Sequence, residues 1–184
     1  MSLFILLIIS IVFIGCTPQQ DTIDFQQVLE DAQPRVNQGK SLSEDTLLVQ
    51  ALEHYQNLEP RDTTKLHQAT ILAAYHYWWK GDKSKAYDLL DSIAETDKNA
   101  LNALFDLGNR DSNFETCYEC LKRIMKDGSG NNFWYQHAWA TLHFYLNQPE
   151  ECERLFDNLP QYLQTPEDSA QYWRQALPNH ANII

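Results

Sequence analysis

The sequence predicts an all-α fold, and two observations support this. Apolar residues recur at the helical period, and no comparably long stretch alternates in the way that indicates a sheet. Between residues 43 and 58, the apolar positions that fall on one helical face are Leu47, Leu48, Ala51, Leu52, Tyr55 and Leu58. A helix with one apolar face must bury that face against a neighbour, so we expect packed helices.

Capping signals mark where several of these helices begin. Ser112 with Glu115, and Thr165 with Asp168, match the capping-box spacing. Asp82 can cap a further helix by accepting a hydrogen bond from its free backbone N–H groups. The sequence therefore predicts helix starts near residues 83, 113 and 166.

One pattern occurs four times along the chain: a small residue followed by large apolar residues four and seven positions later. The small residues are 35, 31 and 35 positions apart, and the four sets are Ala51/Tyr55/Leu58, Ala86/Leu90/Ile93, Cys117/Leu121/Ile124 and Cys152/Phe156/Leu159. A small side chain lets two helices approach closely, and a large one a turn later fills the groove. This period predicts stacked helix pairs.

Two segments of the chain resemble the tetratricopeptide repeat. Residues 69–95 carry the family's small, Tyr, Gly, Ala and large apolar positions at Ala74, Tyr77, Gly81, Ala86 and Leu90. Residues 134–160 repeat the pattern at Ala140, Asn147, Cys152, Phe156 and Pro160, and residues 98–126 do so in a shorter unit at Phe105, Gly108 and Ser112. The first unit has a clear second helix, whereas its expected first helix contains Pro34.

The resemblance implies a tetratricopeptide-like solenoid of helical hairpins over residues 24–178. Residues 166–177 would form a C-terminal capping helix with Ala170, Trp173 and Leu177 on one face, and residues 179–184 would form a tail.

The N-terminal segment predicts that the protein is located in the cell envelope. The apolar run from Leu3 to Ile14 has the length of a secretory signal and is too short to span a bilayer. It ends in "FIGC", which resembles the lipobox of bacterial lipoproteins. The resemblance implies a signal peptide over 1–15, a lipid such as palmitate on Cys16 and a tether over 16–23. The alternative is an ordinary signal peptide with an incidental cysteine.

Thr17 follows this cysteine in place of the Asp that retains lipoproteins in the inner membrane. The resemblance therefore implies attachment to the outer membrane, facing the periplasm. The formal net charge is −11 and no cluster of Lys and Arg stands out. This argues against binding to nucleic acid and against docking on anionic lipid through a basic face.

The pair Cys117 and Cys120 is the most enzyme-like motif, because redox-active pairs with this spacing lie at helix N-termini. However, no strand-helix-strand pattern surrounds the pair, and Cys117 and Cys152 occupy small repeat positions, where a cysteine packs as a small hydrophobe. A local bridge between Cys117 and Cys120, or an exposed Cys120 thiol, remains open.

No set of histidines has the spacing of a metal site, and no phosphate-binding loop or nucleophile motif is present in the sequence. We therefore expect neither a metal, a cofactor nor catalytic residues.

In the tetratricopeptide family the first helix of each pair lines the groove that binds partners. Carrying this over gives an aromatic-walled groove with a polar floor, formed by Tyr75, Trp78, Trp79, Asn102, Asp106, Asn109, Arg110, Trp134, His137, Thr141, Phe144 and Tyr145. The alternative is that several of these rings belong to the core. Trp78 and Trp79 point about a third of a turn apart, so we expect one of them to be more exposed than the other.

These features favour a non-catalytic adaptor or scaffold of the bacterial envelope, which would bind a partner protein or peptide segment in the groove. Two alternatives are a carbohydrate-binding or peptidoglycan-binding lipoprotein and a thiol-redox envelope enzyme that uses Cys117 and Cys120.

Overall fold

The computed structural model of the chain describes residues 23–126, 128 and 130–176. The predicted signal peptide 1–15, the lipidation residue Cys16, the rest of the tether up to residue 22 and the tail 179–184 lie outside the described residues. Within them the chain forms helices and no strands, which confirms the all-α prediction. None of these helices combines the length and apolar character needed to cross a bilayer.

The α-helices follow one another with short connections. They are α1 (Phe25–Asn37), α2 (Leu47–Asn57), α3 (Thr63–Trp79), α4 (Lys83–Asp91), α5 (Lys98–Arg110), α6 (Phe114–Lys126), α7 (Phe133–Tyr145), α8 (Pro149–Asn158) and α9 (Pro166–Gln171). A 3₁₀ turn spans Leu159–Tyr162, and a wide π-helical turn spans Tyr172–Ala176.

All three predicted helix starts are confirmed, since α4 begins at Lys83, α6 at Phe114 and α9 at Pro166, and two of the three predicted caps form. The Asp82 side chain caps α4 by accepting from Lys85 N, and Thr165 with Asp168 forms a complete capping box at α9. The capping box predicted at Ser112 is wrong. Ser112 has a φ of 55°, in the left-handed region, whereas a capping residue adopts an extended conformation. Asn113 takes its place, and its side-chain oxygen accepts from Thr116 N at 3.2 Å.

Helix α1, the first helix expected for the first repeat unit, forms although it contains Pro34. Helix α1 continues past this residue, and Gln38 N donates to Pro34 O at 3.1 Å. Proline lacks an N–H, so the carbonyl of Glu30 loses its helical partner. Both residues are exposed, so water can take the place of the missing donor.

From α1 to α8 each helix packs against the next one along the chain. Helix α3 also packs against α1 and α5. The recurring small residues lie in α2, α4, α6 and α8 and all are buried, at 0% exposure for Ala51, Ala86 and Cys152 and 1% for Cys117. The large residues four positions later are buried as well. The pattern read from the sequence therefore marks the contact between the helices.

The buried side chains form two cores. The larger one extends through α1 to α6 and includes Leu142 of α7. The smaller one contains Phe133, Ala140, Cys152, Phe156, Leu159 and Ala176. Helix α7 contributes to both cores, so it joins the last helix pair to the rest of the chain.

The C-terminal helix differs from the single capping helix expected over residues 166–177. Helix α9 ends at Gln171, and the wide turn after it rotates the following side chains away from the α-helical register. Trp173, expected on the packed face, is 65% exposed, while Ala176 is buried. Leu177, expected on the same face, lies outside the described residues.

Candidate functional site

A small cleft lies between α5, α6 and α7, and half of its ten lining residues carry aromatic rings. Its volume is about 290 Å³, and its lining includes Phe105 from α5, Phe114 from α6, and Trp134 and Tyr145 from α7. Trp134 is 55% exposed and Tyr145 is 54% exposed. We call this the aromatic cleft. Exposed rings beside a concave apolar surface are the side chains that most often anchor a bound partner.

The spacing of residues along α7 explains how this wall forms. Trp134, Ala138, Thr141 and Tyr145 are three or four residues apart and therefore share one face of the helix, and all four line the cleft. The ring of Tyr145 stacks on Phe114 with the centroids 4.5 Å apart and the planes at 2°. This stack holds the Tyr145 ring, at one edge of the cleft, against α6.

His137 also lines the aromatic cleft, but its ring is held mainly by other rings. It stacks on Phe133 at 5.7 Å and meets Phe156 edge-on at 5.8 Å. Its Nε2 is buried and has no hydrogen-bond partner among the described residues. Burial lowers the pKa of His137, so the ring is neutral at physiological pH and supports the wall as an aromatic group.

A second group of predicted residues forms a bonded network at α3 and α5. The Tyr75 hydroxyl donates to Asp106 at 3.0 Å, and Arg110 Nε donates to the same carboxylate oxygen at 2.9 Å. The Arg110 guanidinium lies 5.8 Å from the centre of the Trp78 ring. Burial, and then the charge of Asp106, raises the pKa of Tyr75, which is only 7% exposed. Tyr75, Asp106 and Arg110 therefore use these polar groups to bond one another.

Trp78 and Trp79 are both partly buried and pack against the larger core. Their rings meet edge to face at 4.9 Å, which lets two adjacent indoles pack together. The indole N–H of Trp78 donates to Asp111 at 3.1 Å. The same carboxylate accepts from Tyr87 at 3.0 Å and from Lys83 at 2.6 Å.

The structure therefore divides the predicted site residues between different surroundings. Asn109, Trp134, His137, Thr141 and Tyr145 meet in the aromatic cleft. Phe144, at 47% exposure, does not line that cleft and meets Tyr145 edge-on at 5.6 Å. Asn102 accepts a hydrogen bond from the Tyr135 hydroxyl at 2.9 Å.

The cysteine pair shows neither of the two states left open by the sequence. The thiols of Cys117 and Cys120 are free, and both residues are buried, with 1% and 4% exposure. Burial raises the pKa of Cys117 to about 11 and that of Cys120 to about 12. A reactive cysteine needs an accessible thiolate with a lowered pKa, so these surroundings do not favour thiol chemistry. No group of three His, Cys, Asp or Glu side chains within the described ranges could hold a metal ion.

Sequence reasoning missed a second, larger cleft of about 790 Å³ between α1, α3 and α5. Five side-chain amides line it, and we call it the amide cleft: they belong to Gln33, Asn37, Gln68, Asn99 and Asn102. Helical spacing could have indicated two of them. Gln68 lies seven residues before Tyr75, and Asn99 lies three before Asn102, so each shares a face with a residue already singled out.

No family model matches the chain, no curated protein is detectably similar to it, and no solved structure matches it.

Proposed function

We propose that this chain is a non-catalytic adaptor of the bacterial cell envelope, in which a tetratricopeptide-like array of helix pairs binds a segment of a partner protein. The observation that carries the proposal is the aromatic cleft, with Trp134 and Tyr145 more than half exposed at its rim. Large rings exposed to water beside a concave surface are costly to leave uncovered and give a partner a large contact area.

The packing of the helices favours the proposed tetratricopeptide-like array. The first helices of successive pairs, α1, α3 and α5, pack side by side, and a small buried residue recurs in every second helix. In such arrays each pair contacts mainly its neighbours, which leaves a continuous surface for binding. The strongly acidic net charge, −11, favours a protein partner over nucleic acid.

Replacing Trp134 by Ala should remove partner binding while leaving the fold intact, because more than half of the Trp134 side chain is exposed. A hot-spot tryptophan contributes about 2 kcal/mol or more to binding, or about a thirtyfold change in Kd. The measurement is a pull-down from envelope membranes with the full chain. Trp173→Ala is the matched control, since Trp173 is an exposed tryptophan, at 65%, that does not line the aromatic cleft. Partners retained by the Trp134 variant, or lost equally from both variants, would contradict the proposal.

Membrane attachment is proposed to depend on a lipid on Cys16. When the chain is expressed in bacteria fed radioactive palmitate, we expect the wild type to incorporate label and to shorten by its signal peptide. Cys16→Ser should take up no label, because the thiol is the atom that is acylated. Cys152→Ser serves as the control, since Cys152 is buried at 0% exposure. Equal labelling of the wild type and Cys16→Ser would show that the cysteine is incidental.

A further inference from the structure

The amide cleft is large enough for a ligand and has an elongated wall. Its volume of about 790 Å³ is within the range of ligand sites, about 300–1,000 Å³. Along α3 its lining runs from Thr64 through Gln68 and Ile71 to Tyr75, a distance of about 17 Å at the helical rise. An extended chain advances about 3.3 Å per residue, so the wall matches a segment of about five residues.

Most of the cleft's amide groups are free to bond a ligand. The side-chain amides of Gln68 and Asn99 have no hydrogen-bond partner among the described residues, although Gln68 is partly buried. Asn102 uses its oxygen to accept from Tyr135, which leaves its N–H donors for a ligand. Gln33 Nε2 donates to Asn37 Oδ1 at 3.3 Å, which leaves the Gln33 oxygen and the Asn37 amino group. Free donors and free acceptors are thus both present.

The cleft has almost no charge with which to select a ligand. Its only Asp, Glu, Lys, Arg or His side chains within the described part of the chain are His67 and Asp97, and they bond each other at 3.0 Å. Asp97 also caps α5 by accepting from Asn99 N at 2.8 Å. This scarcity of ionisable side chains contrasts with the net charge of −11 for the whole chain.

An amide side chain carries both a donor and an acceptor, as a peptide group does. An extended polypeptide presents such groups at every residue, and internal secondary structure does not satisfy them. We propose that the amide cleft binds an extended segment of a partner polypeptide through its backbone, with little dependence on the segment's side chains. The inference rests on the proposed function, since it names the kind of segment that the adaptor holds.

A glycan is the competing ligand, because sugar hydroxyls also bond amides. Sugar rings, however, pack their C–H faces on exposed aromatic rings. In this cleft the phenol ring of Tyr75 is only 7% exposed, and the His67 ring is held by Asp97. The apolar side chains that remain are aliphatic, namely Val36, Ile71 and Ala103. These observations favour a polypeptide.

The test begins with a display library of random peptides of about twelve residues, more than twice the length of the wall. Peptides selected on the full chain in detergent micelles are measured against the wild type, Gln68→Ala/Asn99→Ala, Trp134→Ala and a control, Gln50→Ala/Gln161→Ala. The control removes two exposed amides outside the cleft. Each peptide is also made with N-methylated backbone amides, and separately with single alanine substitutions.

We expect the Gln68→Ala/Asn99→Ala variant to bind about tenfold more weakly, because two hydrogen bonds are lost. N-methylation in the middle of the peptide should have a similar effect, while the alanine substitutions, the control variant and added salt should have little effect on binding.

If binding is lost in Trp134→Ala but unchanged in Gln68→Ala/Asn99→Ala, this inference fails and the proposed function stands. If no peptide binds but oligomers of N-acetylglucosamine do, and the double variant loses them, the cleft is a glycan site and the inference is overturned. If neither probe binds, this inference fails, and the pull-down with Trp134→Ala decides the proposed function separately.

Discussion

Replacing Asp111 by Ala is expected to lower the free energy of unfolding by about 3 kcal/mol. Three donors converge on this carboxylate: Trp78 Nε1 at 3.1 Å, the Tyr87 hydroxyl at 3.0 Å and Lys83 Nζ at 2.6 Å. The Asp111 side chain is only 11% exposed, so its removal leaves partly buried donors without an acceptor. Trp78 belongs to α3, and Lys83 and Tyr87 belong to α4, so the bonds tie these two helices to the end of α5.

Urea denaturation followed by far-UV circular dichroism would measure this loss. Lys83→Ala is the matched control: it removes the 54% exposed partner of the ion pair and should cost less than about 1 kcal/mol. Asp111→Asn retains one acceptor oxygen and should fall between the two. If Asp111→Ala costs no more than Lys83→Ala, the Trp78 and Tyr87 hydrogen bonds do not contribute to stability.

The same carboxylate should make stability depend on pH. Burial alone raises the pKa of Asp111, but hydrogen bonds from Lys83, Trp78 and Tyr87 outweigh it and hold the pKa below its usual value. The unfolded chain therefore takes up the proton first as the pH falls. The contribution of Asp111 is fully present above its unfolded pKa of about 4 and is lost below it. The difference in free energy of unfolding between the wild type and Asp111→Asn should shrink over that range. A difference that stays constant from pH 6 to about pH 3 would contradict this assignment.

Asp111 also shows where sequence reasoning stops. Its three partners lie 24, 28 and 33 residues earlier in the chain, and nothing in the local sequence of a polar turn indicates which groups it will meet. The helices themselves were predictable, because their apolar period and caps are local signals. The recurring small residues were predictable as well, since burial of Ala51, Ala86, Cys117 and Cys152 follows from their spacing.

The candidate site was predictable only in part, for a physical reason. Periodicity indicates which helical face a ring occupies, but it does not indicate whether another element covers that face. Trp134 and Tyr145 are exposed, whereas Tyr75 is buried and bonded to Asp106, although all three were assigned to one groove. Helical spacing could have indicated Gln68 and Asn99, but the amide cleft as a whole was missed because it exists only where three helices bring such residues together.

Replacing Phe156 by Ala is expected to lower the free energy of unfolding by about 4 kcal/mol, and to do so unevenly along the chain. Phe156 is 2% exposed and belongs to the smaller core, where its ring meets His137 at 5.8 Å. A cavity there loosens α8 from the face of α7 opposite the larger core. We therefore expect amide hydrogen exchange to accelerate in α7 and α8 while α3, α4 and α5 remain protected. Phe144→Ala, which truncates a 47% exposed ring on α7, is the control and should change little.

A uniform acceleration of exchange in every helix would instead show that the two cores unfold as one cooperative unit. The distinction bears on binding, because α7 carries Trp134 and Tyr145 and depends on both cores for its position. If the smaller core opens separately, Phe156→Ala should weaken partner binding through the aromatic cleft at temperatures where most of the chain is still folded. The larger core would then hold the amide cleft in place, since α1, α3 and α5 all contribute to that core. Binding at the two clefts would therefore be lost in separate steps as the Phe156→Ala variant is heated.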